Sequence, residues 1–162
     1  MDIKKRIRDA QAKIINNLIA CESLIAELYE AFAKADPELS KFWQDIADEE
    51  KDHAKQLASL IHLLDKGAIF REIGRFDAVI VAPVMNLANK ELQAAHLTPP
   101  SRLHALQVAL NLESSVFDAH FYKIVHSDSP EYQATASKLE TDTQKHIEVV
   151  RNKILALQAI PD

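Results

Sequence analysis

Asp48-Glu49-Glu50-Lys51-Asp52-His53 sets charged groups into an apolar helical pattern. Within its surroundings, Glu50 and His53 fall on an apolar stripe with Trp43, Ile46, Leu57, Leu60 and Leu64, alternating in steps of three and four as one face of an α-helix requires. A carboxylate and an imidazole are therefore aimed into a core. A buried carboxylate without compensation costs several kcal/mol, so the pair needs a proton or a partner.

Working outward, the same pattern recurs three times. Ile15, Leu18, Glu22, Ile25, Tyr29 and Phe32 form a stripe on a first helix expected over about Ile3 to Lys34, with Glu27 and Glu30 off the stripe. Asp36-Pro37-Glu38 supplies a cap, a proline for the first helical position and an acid for the first turn, and so predicts the start of helix two, which ends near Lys66-Gly67. Thr98-Pro99-Pro100 opens helix three, with the stripe Leu103, Leu106, Leu110, Glu113, Phe117, His120 and Ile124. Ser129-Pro130-Glu131 opens helix four, with Tyr132, Ala136, Leu139, Thr143, His146, Val150, Ile154 and Leu157, and Pro161 follows its end.

Glu22 precedes Glu50 by 28 residues, Glu113 precedes Thr143 by 30, and a histidine follows three residues after each second member. The chain reads as two copies of one helical hairpin related by a pseudo-dyad. Tyr29 stands seven residues after Glu22, and His120 seven after Glu113. Between Ala68 and Thr98 the pattern is less regular: Gly74, Pro83, the strand-like run Val79-Ile80-Val81, then a helix-like piece from about Val84 to His96. This long connection frees helices two and three from being antiparallel neighbours.

Composition fits this picture. The 162 residues suit one domain, 1–162, large enough for a core without disulfides; two glycines and a 48 % hydrophobic content with no sustained period-two alternation favour an all-α protein. A net charge of −5 with scattered basic residues gives no footprint for nucleic acid or an anionic membrane. No apolar run approaches the roughly 20 residues of a membrane span, and the N-terminus has no signal-peptide core, so a cytoplasmic location is expected. Cys21 is the only cysteine, which excludes a Cys₄ site in this chain and is read as a core residue.

One acid on a stripe is usually an edge position, and one core histidine is usually hydrogen-bonded. Three glutamates and two histidines, each mid-stripe, are hard to obtain that way. Glu22, Glu50 with His53, Glu113 and His146 resemble the ferritin-like di-iron carboxylate superfamily, and within it rubrerythrin-type domains without the rubredoxin module. The resemblance implies a ferritin-like four-helix bundle with a long crossover between helices two and three. It also implies two iron ions, with manganese or zinc as alternatives, held by Glu22, Glu50, His53, Glu113 and His146. Glu50 and Glu113 would bridge, Glu22 would be terminal and each histidine would cap one ion.

The implied activity is that of a non-haem di-iron oxidoreductase, reducing peroxide or oxidising ferrous iron, with an external electron donor and a homodimeric state. Tyr29 would be a redox or hydrogen-bonding hydroxyl near the metal, although a core role suits it as well. His120 would pair with a ligand carboxylate or simply pack. The alternatives are an iron-storage protein and a non-catalytic bundle with an incomplete site. Thr143 motivates the last of these, because it stands where the family places the fourth-helix glutamate, and Val116 replaces a further helix-three glutamate. Two divalent ions then face three carboxylates. Glu140, one turn before Thr143, is the first candidate to make up the difference and Asp142 the second.

Overall fold

A computed structural model describes residues 2–66, 77–123, 127 and 129–159. It is a helical bundle with six α-helices among the described residues: α1 (Ile3–Ala35), α2 (Ser40–Ser59), α3 (Ile61–Asp65), α4 (Asp77–Leu97), α5 (Arg102–Asp118) and α6 (Pro130–Gln158), with a 3-10 turn at Phe121–Lys123. The stripes on α1 and α2 are buried as read, from Ile15 to Phe32 and from Trp43 to Leu57. Leu60 interrupts helix two, which continues as the short α3 without changing face, since Leu60 and Leu64 are both buried. The Gly67 cap, Ile124 and Pro161 lie outside the described residues.

Ion pairs and ring contacts fix the helix directions. Arg8 pairs with Asp65 at one end, and Tyr29 packs on Trp43 at the other with centroids 5.5 Å apart, so α1 and α2 run antiparallel. The turn between them differs from expectation. Asp36 accepts the backbone N–H groups of Glu38 and Leu39, but it caps a turn over residues 37–39, and α2 begins only at Ser40. The Arg102 guanidinium also holds Asp36 and Glu38 together, 2.7 Å from each through Nη2, and ties this turn to the start of α5. Ser101 caps α5 and Ser129 caps α6, each accepting a backbone N–H three residues on.

Val79-Ile80-Val81, strand-like when read alone, lies inside α4, which begins at Asp77 and passes through the exposed Pro83. Val81, Val84, Ala88 and Leu92 form a helical stripe buried in the core cluster that includes α1, and this longer period outweighs local β preference. On α5 the buried face is turned by about one position. Leu106, Ala109, Leu112, Glu113 and Val116 are buried, whereas Leu103, Leu110 and Phe117 are only half-buried and His120 is exposed. The helix must serve α4 and α6 together, which widens its apolar arc beyond a single seam.

Candidate metal centre

Four helices each bring acid or imidazole groups to one level of the core. Glu22 comes from α1, Glu50 and His53 from α2, Glu113 from α5 and His146 from α6, and each is at most 3 % exposed. Their ligand atoms fall into two groups, Glu22–Glu50–His53 and Glu50–Glu113–His146, each within 4.8 Å of one another and each able to hold a metal ion. Glu50 belongs to both. Its Oε2 lies 3.2 Å from His53 Nδ1, and its Oε1 lies 2.8 Å from His146 Nδ1. Glu22 Oε2 approaches His53 Nδ1 at 3.5 Å, and Glu113 Oε2 approaches His146 Nδ1 at the same distance.

Glu113, expected as a second bridge, is in one group only. Its Oε1 accepts the hydroxyl of Tyr29 at 2.7 Å, which leaves Oε2 for the centre. Glu22 is held the same way: Tyr122 donates to its Oε1 at 2.6 Å. Each hairpin therefore lends a tyrosine to the other's glutamate. The imidazoles are crossed in like fashion. His146 Nε2 is bonded to Glu49 of α2 at 2.9 Å, and His53 Nε2 faces Asp142 of α6 at 3.4 Å. Nδ1 of each ring is the atom directed inward, and in His146 the outer Nε2 is bonded to a carboxylate as is usual for metal-binding histidines, whereas His53 Nε2 only lies near Asp142 without a hydrogen bond.

Tyr122 escapes sequence reading because it breaks the spacing. Tyr29 is seven residues after Glu22, but α5 stops at Asp118, His120 takes a positive φ of 49°, and the following 3-10 turn carries Tyr122 inward. Tyr132 fixes that turn by donating its hydroxyl to the Tyr122 carbonyl at 3.0 Å. The adjacent aromatic pair Phe121-Tyr122 just before the Ser129-Pro130 start signal was the available clue. His120 instead pairs with Glu140 at 3.0 Å, which takes Glu140 out of both groups; of the two candidate extra acids, Asp142 is the one beside the centre. Asp142 is also gripped by Lys138 and Lys145. Thr143 is buried, with its hydroxyl donated to the Leu139 carbonyl at 3.0 Å.

The fit to a metal rests on buried atoms with nothing to bond. Glu22 Oε2, Glu50 Oε1 and His146 Nδ1 make no hydrogen bond, although Glu50 Oε1 and His146 Nδ1 nearly touch. Orphaned buried polar atoms normally cost about 1–3 kcal/mol each, and these fall within the two Glu/His groups, where a cation would satisfy them. Protonation follows the same demand. Burial and repulsion by Glu50 push Glu22 up to about 8. Burial opposes the charged form of both imidazoles, yet Glu22 and Glu50 push His53 up to about 10, and Glu113 with Glu50 pushes His146 up to about 12. Burial and Glu113 work to raise Glu50, but Glu22, His146 and His53 together hold it below the usual carboxylate range.

In the metal-free protein two imidazolium protons thus stand in for metal charge, and metal binding must displace them. Burial, with the surrounding glutamates, also raises the hydroxyls of Tyr29 and Tyr122 and the thiol of Cys21, keeping all three neutral. No described helix is long and apolar enough to cross a membrane. Comparison of the chain with protein-family models, curated proteins and solved structures finds no match.

Proposed function

We propose that this chain is a ferritin-like dimetal carboxylate protein, with α1, α2, α5 and α6 as its bundle, α4 in the crossover, and iron as its metal in an oxidoreductase acting on peroxide or ferrous iron. The observation that carries the reading is the single carboxylate, Glu50, common to two Glu/His groups. Carboxylate and imidazole donors suit iron, manganese or zinc, and the neutral, buried Cys21 thiol offers no soft ligand. Bound iron would supply the one-electron steps.

The chain's own residues have separable parts in this reading. Glu50 spans the two positions, one oxygen to each, while Glu22 and Glu113 serve one position apiece with their second oxygens held by tyrosine. Glu49 sets the tautomer of His146, and Asp142 is the acid nearest the outer nitrogen of His53. Tyr29 and Tyr122 each keep a hydroxyl proton within 2.7 Å of a ligand carboxylate, close enough to pass it on. Burial excludes bulk water from Glu22, Glu50, His53, Glu113, His146 and the two tyrosines. These 162 residues hold a single cysteine, so a peroxidase would draw its electrons from a donor outside them.

Elemental analysis of protein purified without added metal, together with anaerobic peroxide consumption by the iron-loaded form, tests the reading. About two iron ions per chain and stoichiometric peroxide loss are expected for a dimetal site. Thr143 favours a second reading, a bundle that binds metal without turnover; two irons with no peroxide or ferrous-iron chemistry would select it.

A further inference from the structure

The glutamate and histidine groups of the two hairpins correspond, Glu22 to Glu113 and His53 to His146, but the shared carboxylate has no counterpart. Counting back three residues from His53 gives Glu50, the shared carboxylate; counting back three from His146 gives Thr143. Thr143 occupies the mirror place, with a side-chain exposure of 1 %, beside Tyr122 at 3.4 Å. It cannot substitute for a carboxylate. Its proton goes to the Leu139 carbonyl, and a neutral hydroxyl adds no charge. Against two divalent ions the two ligand groups, among the described residues, then set Glu22, Glu50 and Glu113, one negative charge short of the pair, with Glu49 and Asp142 outside them at the outer nitrogens of the histidines.

We propose that a small exogenous oxyanion, of the planar O–C–O type that formate, acetate or bicarbonate presents, fills the place opposite Glu50 and is required for the second metal ion to bind. The inference rests on the dimetal reading above. Threonine is shorter than glutamate by the carboxylate itself, so what is missing is the group a one- or two-carbon acid carries. Such a ligand supplies one negative charge and two oxygens, repeating across the pseudo-dyad what Glu50 supplies on its own side. Three carboxylates and two imidazoles would otherwise leave the pair of ions undercoordinated and one ligand charge short.

The test is the metal-to-chain ratio after equilibration with redox-inert Zn²⁺ or Mn²⁺ in degassed, carboxylate-free and phosphate-free buffer. The full-length protein is compared with formate, acetate, bicarbonate or chloride added at equal ionic strength. The expected result is about one ion per chain without an oxyanion and about two with it, a roughly twofold change accompanied by a further rise in Tm. Formate against bicarbonate distinguishes an organic acid from inorganic carbonate as the source. Thr143→Val adds no carboxylate and should keep the requirement, whereas Thr143→Glu should bind about two ions in every buffer.

Two ions per chain in wild type without any oxyanion would overturn the proposal and leave the dimetal reading standing. So would an equal effect of chloride. One ion or none under every condition would overturn both. Should Thr143→Glu fail to fold, the oxyanion dependence of wild type and of Thr143→Val decides alone.

Discussion

The α1–α2 hairpin and the α5–α6 hairpin solve the same problem with different completeness. The first brings Glu22, Tyr29, Glu49, Glu50 and His53; the second brings Glu113, Tyr122, Asp142, Thr143 and His146. Between the halves the support is exchanged: the tyrosine of each holds the terminal glutamate of the other, and the outer acid of each faces the histidine of the other. Neither hairpin is a site alone. The difference lies in Glu50 against Thr143 and in the outer acids, since Glu49 is 56 % exposed and Asp142, gripped by two lysines, only 14 %.

The largest effect expected from breaking this comparison is at Glu50. Glu50→Ala removes an oxygen from both groups and should weaken binding of both ions by more than about 100-fold, beyond what loss of an outer hydrogen-bond partner produces. The mirror change, Thr143→Val, should leave metal content as in wild type. Equilibrium dialysis of the two variants side by side checks this, and retention of metal by Glu50→Ala would sink the shared-ligand account.

The tyrosines come next. Tyr29→Phe and Tyr122→Phe each strip a buried carboxylate oxygen of its donor, which should cost about 1–3 kcal/mol and lower Tm by several degrees in a chain of this size. The two losses should be similar despite the different local structures, a helix for Tyr29 and a 3-10 turn for Tyr122. Thermal melts in metal-loaded and metal-free buffer would show it. A silent Tyr122→Phe would mean that the crossed support is one-sided.

The sequence alone shows which acid and imidazole groups are buried together but not the contacts around them. Glu22, Glu50, His53, Glu113 and His146 were legible because a charged or imidazole group inside a three-four apolar stripe has no cheap alternative to an inward partner. The support was not, because it depends on contacts between helices distant in sequence. Asp142 ranked behind Glu140 by helical spacing alone, yet the left-handed turn at His120 draws Glu140 aside. The same turn displaces Tyr122 from the seven-residue spacing that Tyr29 follows. Val79-Ile80-Val81 misleads for a related reason: three residues carry too little of the period that Val81, Val84, Ala88 and Leu92 complete.

Smaller differences should separate the outer acids. Asp142→Asn should weaken metal binding toward the lower end of the about 10–100-fold range for such partners, and Glu49→Gln by less, because water can replace an exposed group. Competition titration with a chelating dye resolves the order, and a larger effect at Glu49 would reverse the asymmetry argued here.

The smallest expected effect is on pH. Metal-free and folded, Glu22, His53 and His146 keep protons that the unfolded chain has released, Glu22 until about 8 and His53 until about 10. More protons on the folded state means that their contribution to stability falls as pH rises through this window. Metal must expel those protons, so its stabilisation grows over the same window, and the Tm gain on adding Zn²⁺ should be a few degrees larger at about pH 8 than at about pH 6. A gain that shrinks with pH would contradict the assigned ligands.

The most direct measurement is the position of bound metal, read by anomalous X-ray diffraction from crystals equilibrated with metal and formate. Two peaks about 3.5–4 Å apart, one beside His53 and one beside His146 with a Glu50 oxygen toward each, are the predicted result. A single peak, or peaks that do not have Glu50 between them, would contradict the account.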